Sequence, residues 1–173
     1  MLEVKTPQSA REWDEVRSLM RAFVAWHRQR HHQDIHLVDR YFDAVAFDAE
    51  LADLPGPYAP PRGRLLLARL DGQAVGCVAL KDLGGGRCEM KRMFVRVDAQ
   101  GRGVGRALAT AIVGEARAAG YRRMQLDTSI RQAEAQALYR SLGFGPSEPD
   151  ETLPQPLRDW LVFMALDLSA IAI

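Results

Sequence analysis

Gln100-Gly101-Arg102-Gly103-Val104-Gly105-Arg106 sets three glycines on alternate positions between polar and cationic side chains. Glycines at that spacing let a backbone approach a ligand that side chains would hold off. The run follows an extended segment, Glu89 to Val95, and opens an amphipathic helix read from Val104 to about Ala119. A helix start presents unpaired N–H groups and the positive end of the dipole, which suits a phosphate or pyrophosphate. Arg102 and Arg106 add charge where the helix is already positive, a penalty of a few tenths to about 1 kcal/mol each. A bound polyanion turns that penalty into attraction.

Spacing separates three loop types. A dinucleotide fingerprint, G-x-G-x-x-G, puts Arg106 at the third glycine when read from Gly101, and Leu108 there when read from Gly103. Asp127, near the end of the next strand, still matches the ribose-binding acid of that fingerprint, so a dinucleotide-binding domain stays open. A nucleoside-triphosphate loop needs Gly-Lys-Ser or Gly-Lys-Thr, and neither occurs. The third pattern, [QR]-x-x-G-x-[GA], is met by Gln100, Gly103 and Gly105.

The surroundings favour the third. Upstream stands Glu89-Met90-Lys91-Arg92-Met93-Phe94-Val95; downstream come a helix, the strand Met124 to Thr128, and Leu138-Tyr139-Arg140-Ser141-Leu142-Gly143-Phe144. This order, from about Ala74 to Phe144, resembles the cofactor-binding half of the GNAT N-acetyltransferases: a strand ending in Val, the loop, a helix, a strand, then a Tyr-x-x-Leu-Gly-Phe phrase. The resemblance implies a three-layer α/β fold with a mixed central sheet flanked by helices. It also implies acetyl-CoA as cosubstrate and N-acetylation of a primary amine by direct attack in a ternary complex.

Site residues follow from the resemblance position by position. Gln100, Gly101, Arg102, Gly103, Val104, Gly105 and Arg106 fall on the pyrophosphate loop. Met93, Phe94 and Val95 fall where backbone groups hold the pantetheine and the acetyl carbonyl. Gln132 takes the place of an asparagine that bonds the pantetheine arm, with the same amide on a longer stem. Tyr139 falls on the general acid that protonates the departing thiolate. Glu89, eleven residues before Gln100, falls where some members carry a general base. A base is needed because an alkylamine with a pKa near ~10.4 is protonated at neutral pH. The residues alone allow a plainer reading of Glu89: across a Gly84-Gly85-Gly86 turn it faces Lys81, an ordinary surface charge pair. Tyr139 likewise reads as an aromatic core residue at helical spacing from Ala135 and Leu142. A catalytically idle CoA-binding sensory domain would keep the loop and lose the acid and base.

Four histidines (His27, His31, His32, His36) gather near the end of the first helix. His27 and His31 share a helical face, but no carboxylate or cysteine pattern completes a metal site, so the expectation is a solvated helix end and no metal. In the family the segment after the first helix often lines the acceptor pocket, which makes Trp26, His27, Arg30, His31 and the prolines around Tyr58 substrate-side candidates.

The elements that position these residues read as follows. Leu2 to Lys5 is a strand; Pro7 and Ser9 open a long helix to about Arg30; a second helix runs from about Asp39 to Ala52. Four prolines stiffen Leu54 to Arg62. Arg64 to Leu70, Ala74 to Leu83 and Arg87 to Val95 are strands joined by Asp71-Gly72 and the triple glycine. A short helix carries Ala137 to Leu142. A proline- and acid-rich loop, Pro146 to Pro156, precedes a last strand from about Trp160 to Leu168. At 173 residues the chain suits one domain, with the cofactor half at about 74–144. With 23 basic and 22 acidic side chains, net +1, neither nucleic acid nor an anionic membrane is the expected partner. Cys77 and Cys88 read as buried small apolar residues in a reducing, cytoplasmic compartment. A homodimer is compatible with all of this.

Overall fold

The computed structural model describes residues 1–169; Ala170 to Ile173, the end of the C-terminal tail, lie outside it. Its strands are β1 (Leu2–Lys5), β2 (Arg64–Leu70), β3 (Gln73–Gly84), β4 (Arg87–Val95), β5 (Arg123–Ser129), β6 (Gly145–Pro146) and β7 (Leu161–Asp167). They form one sheet in the order β1-β2-β3-β4-β5-β7-β6. Every neighbouring pair is antiparallel except β4 and β5, which run parallel and so need a crossover helix between them. That helix is α4 (Val104–Ala118), and the expected three-layer mixed α/β architecture holds.

Strand alternation sends successive side chains to opposite faces and builds two cores. Leu66, Ala68, Val78 and Leu80 pack under α4 and α5 (Ala133–Ser141). Leu65, Leu67, Cys77 and Ala79 pack under α1 (Ala10–Arg30), α2 (Ile35–Tyr41), α3 (Ala44–Asp53) and α6 (Gln155–Trp160). Leu67 and Ile112, both 0% exposed, represent the two sides. Truncating either to alanine removes about 2–5 kcal/mol. Ser9 starts α1 through a reciprocal cap with Glu12.

Three expectations need correction. The second helix is two helices: Phe42 leaves the helical path to pack on Phe23, ring centres 5.3 Å apart, and Asp43 caps a fresh start by accepting from Ala46 N. The segment between Phe144 and the last strand is not all loop: it holds β6 and α6, whose early proline occupies a first-turn position where its missing N–H is harmless. The last strand therefore begins at Leu161, and the helix bearing Tyr139 begins four residues earlier than read, at Ala133. Among the described residues no helix is long and apolar enough to cross a membrane.

Candidate active site

The parallel ladder between β4 and β5 is short. It pairs Arg87 with Arg123, Cys88 with Met124 and Glu89 with Gln125, then stops. Beyond Glu89 the two strands separate, and the gap is a cavity of about 60 Å³ walled by Met90 to Met93, Leu126 to Ser129, and side chains from α1, α2, α5 and α6. A second, outer groove of about 980 Å³ lies over β3, β4 and β5 beneath the 147–154 segment. Tyr41, Glu89, Lys91, Arg92, Leu126 and Asp127 line both. These six stand at the boundary between the two spaces, the neck.

On the inner side β4 is bulged. Phe94 pairs with Cys77 and Lys91 with Ala79, leaving Arg92 and Met93 opposite Val78 alone. Arg92 takes φ 56, a strained conformation for a residue with a Cβ. Its side chain is the anchor that holds it there. Nε and Nη2 donate to the two Glu50 oxygens at 2.8 and 2.9 Å, and the guanidinium lies 5.3 Å from the ring centres of both Phe42 and Phe47. Burial would raise the Glu50 pKa, but the bonds from Arg92 outweigh it and hold the carboxyl below its usual range. The Tyr58 hydroxyl donates to Glu50 as well, so Tyr58 supports the bulge from inside the core and does not line the cavity.

The pyrophosphate-loop candidates sit at the exposed start of α4. Gly103 caps that helix in the left-handed region at φ 80, and among the described residues a Cβ built on it meets nothing within 4 Å beyond its chain neighbours. The outer face of the loop is therefore open, as a diphosphate would need. Gln100 is exposed and folds back along the chain, its Nε2 donating to Val95 O at 3.1 Å. Gly105 stands within 3.6–3.8 Å of Leu138, Met93 and Val95 by its built Cβ, so loop, β4 and α5 converge there. Arg106 ties the corner together by donating to Ser141 Oγ at 2.9 Å, while Arg102 reaches Asp71 at 3.7 Å across exposed surface.

Tyr139 is 6% exposed, lines the inner cavity, and packs on Phe144 at 5.8 Å between ring centres. No hydrogen bond engages its hydroxyl among the described residues. Burial raises its pKa, with Asp127 adding to the effect, so it holds its proton at neutral pH. Gln132 also lines the cavity, with Oε1 already accepting from Thr128 Oγ1 at 2.9 Å and Ser129 N at 3.2 Å.

Glu89 lies at the neck and in register with Lys81, as the hairpin spacing requires, yet its ion pair goes to Lys91 at 3.3 Å. Asp127 faces it from β5. Its Oδ1 accepts a 2.6 Å hydrogen bond from the Tyr41 hydroxyl, and burial raises its pKa.

The solvated reading of the histidines fails for two of the four. His27 is 4% and His31 0% exposed, stacked edge to face at 5.2 Å, and His31 Nε2 lies 2.7 Å from Ser129 Oγ. Desolvation, reinforced by the charges of His31 and Arg92, lowers the His27 pKa to about 3. Of the substrate-side candidates only His27 lines the cavity. Trp26 is half-buried beneath Arg30, whose guanidinium lies 5.7 Å from its ring centre and pairs with Glu134 at 2.6 Å, tying α1 to α5. Among the described residues no three His, Cys, Asp or Glu side chains are grouped to hold a metal.

The family model described as "Acetyltransferase (GNAT) family" matches residues 33–144, well over half of the chain. The chain belongs to that family. It is 41% identical over 124 residues to an uncharacterized N-acetyltransferase of Schizosaccharomyces pombe, covering 70% of this chain and 74% of that one. It is 43% identical over 127 residues to an IAA acetyltransferase of Azospirillum brasilense, covering 68% and 82%. Among solved structures it is similar in fold to a GNAT-family acetyltransferase of Staphylococcus aureus (TM-score 0.74, 16% identity, 98% and 100% covered). It is also similar to the PaiA N-acetyltransferase of Thermoplasma acidophilum in complex with coenzyme A (TM-score 0.70, 13% identity, 96% and 99% covered). The chain is thus a GNAT acetyltransferase.

Of the neck, Glu89 was legible in the sequence and the others were not. Asp127 stood out only as a ribose-binding candidate, and Tyr41, Arg92 and Glu50 carried no local signal at all. The one available clue was a carboxylate in a strand whose alternate positions, Met124, Leu126 and Thr128, point to the core.

Proposed function

We propose that this acetyltransferase moves an acetyl group from acetyl-CoA to a primary amine by direct attack in a ternary complex, within a single domain. The observation that carries the proposal is a pair of adjoining spaces: an inner cavity lined by Tyr139, whose hydroxyl no described residue engages, and by the bulged β4, with a charged neck between it and an outer groove. The residues fit the cosubstrate. The N–H groups of Gly101 to Gly105 and the charges of Arg102 and Arg106 would hold the diphosphate. Met93, Phe94 and Val95, on the strand edge that β5 leaves, would hold the pantetheine arm, with Gln132 across from them.

Acetyl-CoA supplies a thioester whose carbonyl carbon the amine attacks as its C–S bond breaks. Tyr139 gives its proton to the departing thiolate and is restored by the proton that the new amide nitrogen sheds. The other ammonium proton leaves to the acid pair at the neck, of which Glu89 is the member the family resemblance names. Burial pushes the Cys77 and Cys88 thiols up to about 12, and neither lines the cavity, which speaks against an acyl-enzyme on cysteine. A thermal-shift comparison of acetyl-CoA, CoA and NAD tests the cosubstrate, since a ligand that binds only the native state raises the melting temperature. Stabilisation by both CoA species and not by NAD is expected; stabilisation by NAD alone would overturn it.

A further inference from the structure

Two carboxylates occupy the neck, and they are not equivalent. Glu89 already has a cation, Lys91 at 3.3 Å. Asp127 has no Lys, Arg or His within ion-pair distance among the described residues. Its one bond is from Tyr41 to Oδ1, which leaves Oδ2 free to accept a proton. Asp127 lies two residues past Gln125, the last β5 residue laddered to β4, so it stands on the same strand face as Gln125 where the strands have just parted. Tyr139, the acid, faces the same cavity.

We propose that Asp127, oriented by the Tyr41 hydroxyl, receives the proton of the incoming ammonium, while Glu89 stands beside it as a charge fixed by Lys91. The assignment rests on the acetyl-transfer reading and moves the base from β4 to β5. In the step, an N–H bond of the ammonium breaks and its proton passes to Oδ2. The freed lone pair attacks the thioester carbonyl, and Asp127 later loses the proton to water through the outer groove. The groups facing Asp127 are Tyr41 from α2, Glu89, Lys91 and Arg92 from β4, and Tyr139 from α5; its partner on β7 is the apolar Phe163. Burial keeps its carboxyl above the usual range, Glu89 pushes the same way, and the Tyr41 bond opposes them. Such a carboxylate is better matched to accepting a proton near neutral pH than a freely solvated one.

The test is kcat/KM against pH with one primary alkylamine for the wild type, Asp127→Asn, Glu89→Gln and Tyr41→Phe, each checked for folding and for acetyl-CoA affinity by calorimetry. Asp127→Asn should lose the acidic limb and at least about tenfold in kcat at neutral pH, within the roughly 10²–10⁴-fold range of acid–base catalysis. Glu89→Gln should keep an acidic limb displaced to lower pH, because a like charge is gone. Tyr41→Phe should displace it to higher pH, because a bond to the ionised form is gone. These opposite displacements decide the matter even if Asp127→Asn fails to fold. An acidic limb that vanishes in Glu89→Gln and persists in Asp127→Asn puts the proton on Glu89 and overturns the proposal. A wild type that binds acetyl-CoA and acetylates no amine removes the acetyl-transfer reading, and this proposal with it.

Discussion

The proposed cofactor side and the proposed acceptor side of the cavity are built by different means. On the cofactor side the parts are contiguous in sequence: Gln100 to Arg106 make the loop and start α4, and Leu138 to Phe144 bring Tyr139 and its Gly143 cap, at φ 98. On the acceptor side the parts meet only in the folded chain. Tyr41 reaches Asp127 across 86 residues and Arg92 reaches Glu50 across 42. The cofactor side depends on backbone conformation and helix position, whereas the acceptor side depends on paired and desolvated side chains. Perturbations should therefore act differently on the two.

The largest effect is expected at Gly103. Gly103→Val should reduce acetyl-CoA affinity beyond detection by calorimetry, by obstructing the open face of the loop and straining φ 80, a conformation costing an L-residue roughly 1–2 kcal/mol. The protein should still fold, since among the described residues a built Cβ there meets nothing within 4 Å beyond its chain neighbours. Undiminished affinity in the folded variant would erase the contrast from the cofactor side.

Glu50→Ala should act in the opposite way. It leaves Arg92, with a side chain 11% exposed, without its partner. Breaking such a pair costs about 3–5 kcal/mol when fully buried, and the low end is expected here. Denaturant unfolding should show that loss, with turnover falling as the bulge relaxes and the loop still able to bind CoA.

Acidification should also single out the acceptor side. Folded His27 titrates near 3 and an unfolded histidine near ~6.5. Between those values the unfolded chain binds a proton that the folded one refuses. Stability therefore falls as pH drops through that window, at roughly 1.4 kcal/mol per pH unit. His31 is shifted in the same direction by burial and adds to the slope. His27→Phe should flatten the dependence by up to one proton; an unchanged slope would mean that the imidazole is not desolvated.

Tyr139→Phe gives the smallest of these effects on the fold and a selective one on the chemistry. It removes one oxygen that no group among the described residues engages, so folding and acetyl-CoA affinity should hold. Turnover should fall by at least about tenfold, seen in kcat because charge develops on sulfur only after both substrates are bound. An undiminished kcat would leave Tyr139 as a packing residue.

The same contrast explains what the sequence could reveal. β1, β2, α4 and the loop were legible because alternation, helical period and glycine spacing are local properties, and the limits of β1 and β2 match residue for residue. The break at Phe42 was not legible, because an apolar residue leaving a helix to meet Phe23 looks like one more member of the stripe. Nor was α6, whose prolines resemble a loop until one is seen at a first-turn position. Tyr41, Arg92 and Asp127 acquire their roles only when β5 parts from β4, and no neighbouring residue announces that parting.

Acetyl transfer to an amine at the neck is the reaction proposed. It is tested most directly by incubating the protein with acetyl-CoA and a panel of primary amines, following free thiol and identifying the acetylated product by mass. Saturable thiol release, matched one for one by an N-acetylated amine, is expected. Tight acetyl-CoA binding with no amine acetylated across the panel would contradict it and leave a domain that holds CoA without using it.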